Sequence, residues 1–178
     1  MLDRVFNRFN AFGFSGSRKE GVPTSALSSV VGFVSSKSQV FVGCAAGVDA
    51  YFRSAFPSAV VFSVASGQWG VGRGAFAGRS IACVRAVSVA AGLWVSFPSS
   101  PCPPGLLPSA SSSRCFCGLS AGTWSSLAFA LGSGVPCLVF SPVGVPPGWG
   151  LSPLPGCPGW FGCSVVLGAP RPVQLSLF

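Results

Sequence analysis

The residues best suited to do chemistry fall in four short segments rich in glycine and hydroxyl side chains. They are Gly16-Ser17-Arg18-Lys19, Gly43 to Asp49 with Gly47 inside it, Arg73 to Arg79, and Gly118 to Thr123, which contains Ser120 and Gly122. Glycine lets a backbone come close to a ligand, serine and threonine add O–H donors, and Arg18, Lys19, Arg73 and Arg79 add positive charge. That combination suits an oxyanion such as phosphate. Each segment alone also reads as ordinary turn and cap chemistry. What distinguishes the set is that so many of the chain's cations fall within it.

Acid–base catalysis has little to work with. The chain has three acids, Asp3, Glu20 and Asp49, and no histidine. General acid and base work needs titratable groups, and only Asp49 and Glu20 fall in or beside these segments. One carboxylate could assist an N-glycosidic cleavage. Yet Asp49 reads equally as a first-turn helix acid favoured by the dipole, and Glu20 as an exposed loop acid. The expectation is a binding protein without a dedicated catalytic set, needing no cofactor.

The wider composition fits an anionic partner. The chain of 178 residues has a formal charge of +8 with only 8% charged residues, and its 49% hydrophobic content and mean hydropathy of +0.64 suit a folded core. Residue types whose codons must contain adenine are scarce, as a base-composition bias in the gene would produce; a coding sequence rich in adenine would refute that reading. Eight cysteines are present, but Cys115 and Cys117 are too close together, Cys157 and Cys163 too far apart, and histidine is missing, so no metal site is expected. The opening MLDRVFNRFNAFGF carries acid and asparagine where a signal peptide needs an apolar core, which predicts a cytoplasmic protein with reduced thiols.

Arg114 to Arg171 bounds a long neutral stretch, but Gly132, Gly134, Pro136, Pro142, Pro146 and Pro147 interrupt it. No run reaches the ~20 apolar residues of a spanning helix. Ile81 to Pro98 is divided by Gly92 and carries Arg85, so no membrane partner is expected.

These segments must be positioned by regular elements, and the chain alternates β-rich runs with helical patterns about five times. The strands are expected at Asn10–Phe14, Gln39–Gly43, Ala59–Val64, Leu93–Phe97 and Val135–Phe140, with a further edge strand at Ser164–Leu167. Helices are expected from Thr24, with Leu27, Val30, Val31 and Val34 on one stripe; as a short helix through Phe52 to Phe56, after the segment ending in Asp49; from Ala75 to Ala91, with Ile81, Val84, Ser88 and Ala91 inward and Gly92 as C-cap; and after Thr123, with Trp124, Leu127, Ala128 and Leu131 inward. Pro98 to Arg114 reads as a mobile loop. The predicted fold is α/β: a single Rossmann-like domain over residues 1–178, with a core of about 10–142 and a proline- and glycine-rich extension over 143–178. Its sheet is mostly parallel, of five to six strands, with helices on both faces. All four chemical segments then lie at the carboxyl ends of strands, where such sheets bind ligands.

The same segments resemble a known superfamily, the one that unites DNA-processing protein A with the cytokinin-activating lonely-guy proteins. FSGSRKEG is similar to its opening Gly-Ser-Arg, and VFVGCAAGVDAYFRSAF to the Ser-Gly-X-Ala-X-Gly-Ile-Asp segment of the DNA-processing branch. AFAGRSIACVRAV is similar to that branch's Arg-Asn-Arg-Ile-Ile-Ala stretch, and GLSAGTWSSLAFALGSGVPCLVF to the Gly-X-Gly-Thr phosphate loop with its helix and strand. The likeness spans about residues 10 to 142. It implies that Gly16, Ser17 and Arg18 cradle phosphate, that Gly47 and Asp49 shape the second loop, that Arg79 reaches the anion, and that Gly122 and Thr123 cap it. The glutamate of the phosphoribohydrolase branch is replaced: Thr123 is followed by Trp124, Ser125 and Ser126.

The expected partner is therefore a nucleotide or single-stranded nucleic acid, with Trp69, Phe76 and Trp124 as aromatic surfaces for base stacking. A nucleoside-monophosphate N-glycosidic hydrolase with an atypical catalytic set is one alternative. A structural, self-assembling protein is another, and homo-oligomers are expected because few charges keep monomers apart.

Overall fold

The computed structural model describes residues 1–19, 21–118 and 122–168, with Arg73 described by its backbone. Runs rich in Phe and Val become five parallel strands: β1 (Ala11–Gly16), β2 (Gln39–Gly43), β3 (Val60–Phe62), β4 (Leu93–Phe97) and β5 (Cys137–Phe140). Their order is β3-β2-β1-β4-β5. The chain thus winds outward from β1 to one edge, then crosses back to fill the other side from β4. The direction of winding reverses between β1 and β4, the switch point of a doubly wound sheet. Two further strands, β6 (Leu151–Pro153) and β7 (Trp160–Cys163), extend the sheet through antiparallel pairings, β5 with β7 and β7 with β6. The sheet is therefore mixed and seven-stranded, wider than the five or six strands expected.

Period-two alternation divides the core into two layers. Phe12, Phe14, Val40, Val42, Leu93, Val95 and Phe97 lie on one face, with Phe6, Leu27, Val30 and Phe52 from α1 (Leu2–Phe6), α2 (Thr24–Phe33) and α3 (Val48–Ala55). Ala11, Phe41 and Trp94 lie on the other, with Cys83, Val84, Val87, Leu127 and Ala128 from α4 (Arg73–Val89) and α6 (Gly122–Gly132). Helices cover both faces, as expected. Phe14 and Phe52 stack with ring centroids 3.9 Å apart, locking α3 onto β1. At Gly13 the space of a Cβ is filled by Val87 and Trp94, so α4 sits close against the sheet.

Several expectations are corrected. The five-residue α1 has too few residues for a periodic signal. The helix expected to begin at Ala75 begins at Arg73, and its buried side carries Ala75, Arg79, Ser80, Cys83, Val84 and Val87, whereas Ser88 and Ala91 are exposed. Its C-terminus closes on Ala91, not Gly92: Ala91 has φ +50°, its N–H donates to Ser88 O at 3.0 Å, and the Gly92 N–H donates to Val87 O at 2.9 Å. That is a Schellman pattern with alanine in the position usually held by glycine.

Within Pro98 to Arg114, Leu106 is buried and α5 (Ser112–Cys115) begins. Ser164 to Leu167 is a turn, in which the Val166 and Leu167 N–H groups both donate to Cys163 O. The place beside β5 goes to Trp160–Cys163 instead, with Leu151–Pro153 at the sheet edge; Trp160 packs edge-on against Phe97 and Phe140, with centroids 5.7 and 5.3 Å away. Arg8 clasps the tail, donating through Nη1 to Val166 O and through Nη2 to Val165 O, both at 2.9 Å. Among the described residues no helix is long and apolar enough to cross a membrane.

Candidate functional site

The carboxyl ends of β1, β2 and β4 open into a cleft of about 800 Å³. It brings together residues from all four chemical segments: Gly16, Ser17, Arg18 and Lys19; Asp49; Arg79; and Gly122 with Thr123. A further wall, Pro98, Ser99 and Ser100, escaped the sequence reading, because nothing in a Pro-Ser run signals a ligand. Gly43 and Gly47 stand behind the lining. Arg73 opens α4, next to the lining residue Gly74. Glu20 and Ser120 lie outside the described residues.

The first loop is held from two sides. The Ser17 N–H donates to Phe97 O at 3.0 Å, and Ser17 Oγ accepts from the Ser99 hydroxyl at 2.7 Å and from the Lys19 N–H at 3.1 Å. The loops leaving β1 and β4 are thereby bridged across the switch point. From the other side, the Val48 N–H donates to Ser17 O at 3.1 Å. Gly47 makes that approach possible: its φ is +69°, and a Cβ there would overlap Ser17 O and the Arg18 backbone. Gly16 has a packing role too, because the Val48 side chain fills the space of its missing Cβ. Its backbone remains part of the cleft wall.

Behind this loop lies a buried ion pair. Arg79 Nη1 is 3.1 Å from Asp49 Oδ2, with the residues 7% and 4% exposed. The same Asp49 oxygen accepts the Ala45 N–H at 3.2 Å. Arg53 Nη1 donates to Gly43 O at 2.7 Å and Ala45 O at 2.9 Å, tying the second loop to α3. Burial pushes the Asp49 carboxyl above its ordinary value, against the downward pull of Arg79. Asp49 is thus committed to shaping the loop and orienting Arg79. Among the described residues Arg79 Nε is buried without a hydrogen-bond partner.

Opposite, the α6 N-terminus reaches the cleft at Gly122, where a Cβ would meet nothing within 4 Å. Unpaired backbone N–H groups and the dipole make such a terminus positive. The following turn is buried, and the Ser126 hydroxyl donates to Gly122 O at 2.7 Å. Trp124 belongs to the core: it is 1% exposed, its Nε1–H donates to Ser100 O at 2.8 Å, and it meets Trp149 edge-on. Trp69 leans on Phe62 and covers Gly78. Of the three aromatic residues expected to stack on a base, Phe76 and Trp124 line the cleft, and Trp124 is taken up by the core.

No protein-family model, curated protein or solved structure matches the chain.

All eight cysteines are unpaired, and no group of three or more His, Cys, Asp or Glu among the described residues could hold a metal ion. The arrangement offers guanidinium, ammonium, hydroxyl and backbone N–H donors around one concave space, and its one described carboxylate is engaged by Arg79. Donors of these kinds can hydrogen-bond an oxyanion.

Proposed function

We propose that the cleft binds the phosphate of a nucleotide or nucleic acid. The observation that carries this reading is convergence: segments as much as about 107 residues apart, each poor in information alone, meet at the switch point of the sheet with Arg18, Lys19 and Arg79 among them. Ser17 accepts two hydrogen bonds and, among the described residues, its O–H donates to none, so that donor can serve a ligand. Phosphate oxygens would accept from that hydroxyl, from the α6 N-terminus and from the two exposed cations. The Ser17-Arg18 and Gly122-Thr123 pairs, on which the resemblance to the DNA-processing and lonely-guy superfamily rests, border the same cleft.

Titration of the protein with pyrophosphate, a nucleoside monophosphate and a short labelled single strand, each at two salt concentrations, tests the proposal. Binding of any of them should weaken in Arg18→Ala/Lys19→Ala. A strand-binding site would lose affinity steeply with salt, in proportion to the phosphates contacted. Failure of the unmodified protein to bind all three would remove the proposal.

A further inference from the structure

Phe76 occupies an unusual position for a phenylalanine. It sits in the first turn of α4, half-buried in the cleft wall, and belongs to neither hydrophobic layer of the core. Among the described residues no aromatic ring packs against it. A cation lies over its ring: the Arg18 guanidinium carbon is 4.6 Å from the ring centroid. An aromatic face is thus held at the ligand site, covered by a charged group from the neighbouring loop instead of by apolar packing.

We propose that Phe76 is the stacking platform for the base of the bound nucleotide, and that Arg18 gives up the ring to the base and turns to the phosphate. This rests on the reading of the cleft as a nucleotide-phosphate site. At 4.6 Å there is no room for a base between guanidinium and ring, so the two compete for the same surface. An exposed cation–π contact is worth less than base–aromatic stacking, so the exchange runs toward the base. The displaced guanidinium does not lose its electrostatic partner, because the phosphate arrives with the base and Arg18 lines the same cleft. In the empty site, Phe76 keeps Arg18 from wandering; in the filled one, it reads the planar part of the ligand. The platform makes the site prefer nucleotides over bare phosphates of equal charge.

The test compares two probes, a 2-aminopurine nucleoside 5′-monophosphate and inorganic pyrophosphate, on the full chain and on Phe76→Ala, Phe76→Leu and Phe76→Trp. In the unmodified protein the 2-aminopurine fluorescence should be quenched on binding. The Ala and Leu variants should lose about tenfold or more in affinity for the nucleotide, the size expected of one stacked base. Both should bind pyrophosphate as well as the parent or better, since Arg18 no longer has a competing contact, and the Trp variant should keep nucleotide affinity. Circular dichroism controls for folding, and the Leu variant preserves apolar volume if alanine disturbs the helix. Equal losses for both probes would overturn the proposal, because Phe76 would then only position Arg18; so would unchanged nucleotide affinity. Pyrophosphate bound as tightly as the nucleotide by the unmodified protein would overturn the platform alone, whereas no binding of either probe would overturn the phosphate reading beneath it.

Discussion

The space beside Gly43 that a side chain would fill is occupied by the guanidinium of Arg79, with the Asp49 carboxylate next to it. The glycine at the end of β2 is therefore a condition of the ion pair behind the cleft. In Gly43→Ala the new methyl group would force Arg79 off Asp49. Breaking a buried pair costs about 3 kcal/mol or more, so urea unfolding should show a loss of that order. Unchanged stability would mean that the guanidinium can sidestep the methyl group.

The same pair predicts a pH dependence. Burial raises the native Asp49 carboxyl above 3.8, so the native state keeps this proton to a higher pH than the unfolded chain does. The stability it contributes is complete below the unfolded value and is lost as pH rises through the native one. Arg79→Met removes the main downward pull on the carboxyl and should extend that loss to higher pH, and adding Asp49→Asn should flatten the profile. Unfolding free energies measured from about pH 3 to pH 8 decide the matter; matching profiles for Arg79→Met and the parent would contradict it.

Ala91 adopts a left-handed conformation at the C-terminus of α4, with φ +50°. Glycine adopts it without strain, so Ala91→Gly should stabilise the protein by roughly 1 kcal/mol and raise Tm by about 2–4 °C. A thermal melt that moved downward would show that the unfolded-state cost of glycine outweighs the relief.

The thiols should differ in reactivity. Cys117 is exposed, whereas Cys83 and Cys137 are buried and burial pushes both thiols well above the ordinary range. Iodoacetamide should modify Cys117 in the native protein and reach Cys83 and Cys137 only on unfolding, as peptide mass mapping would reveal. Cys117 also lies between two cleft-lining residues, Phe116 and Gly118. Pyrophosphate should therefore slow its alkylation.

Much of the sheet was legible because its strands are bounded runs of branched and aromatic residues: Gln39–Gly43 and Leu93–Phe97 form over the residues expected of them. The inward face of α4 was not legible. Arg79 and Ser80 are buried there, and polar residues on the inner side erase the apolar stripe that marks a helix face. The glycines misled in a related way. Gly16 and Gly43 read as openings for a ligand, but Val48 and Arg79 fill the spaces they leave, a fact that depends on contacts with residues far along the chain. Nothing local in the tail announces that Trp160 packs on Phe97. The cleft itself was legible in outline, because strand ends and glycine-rich loops coincide in sequence, but the Pro98–Ser100 wall was not.

The clasp between Arg8 and the Val165 and Val166 carbonyls has a topological consequence. Arg8 and Val165 line a small cavity together with Gly92, Val135 and Pro136, which precede β4 and β5 and so lie on the edge of the sheet away from the cleft. From residue 8 to residue 166 the backbone is nearly a closed ring. A linker that keeps α1, run from beyond residue 166 to Met1, with the chain reopened in the glycine-rich connection between β3 and α4, would give a circularly permuted protein in which the loops leaving β1, β2 and β4 keep their connections to the strands that aim them.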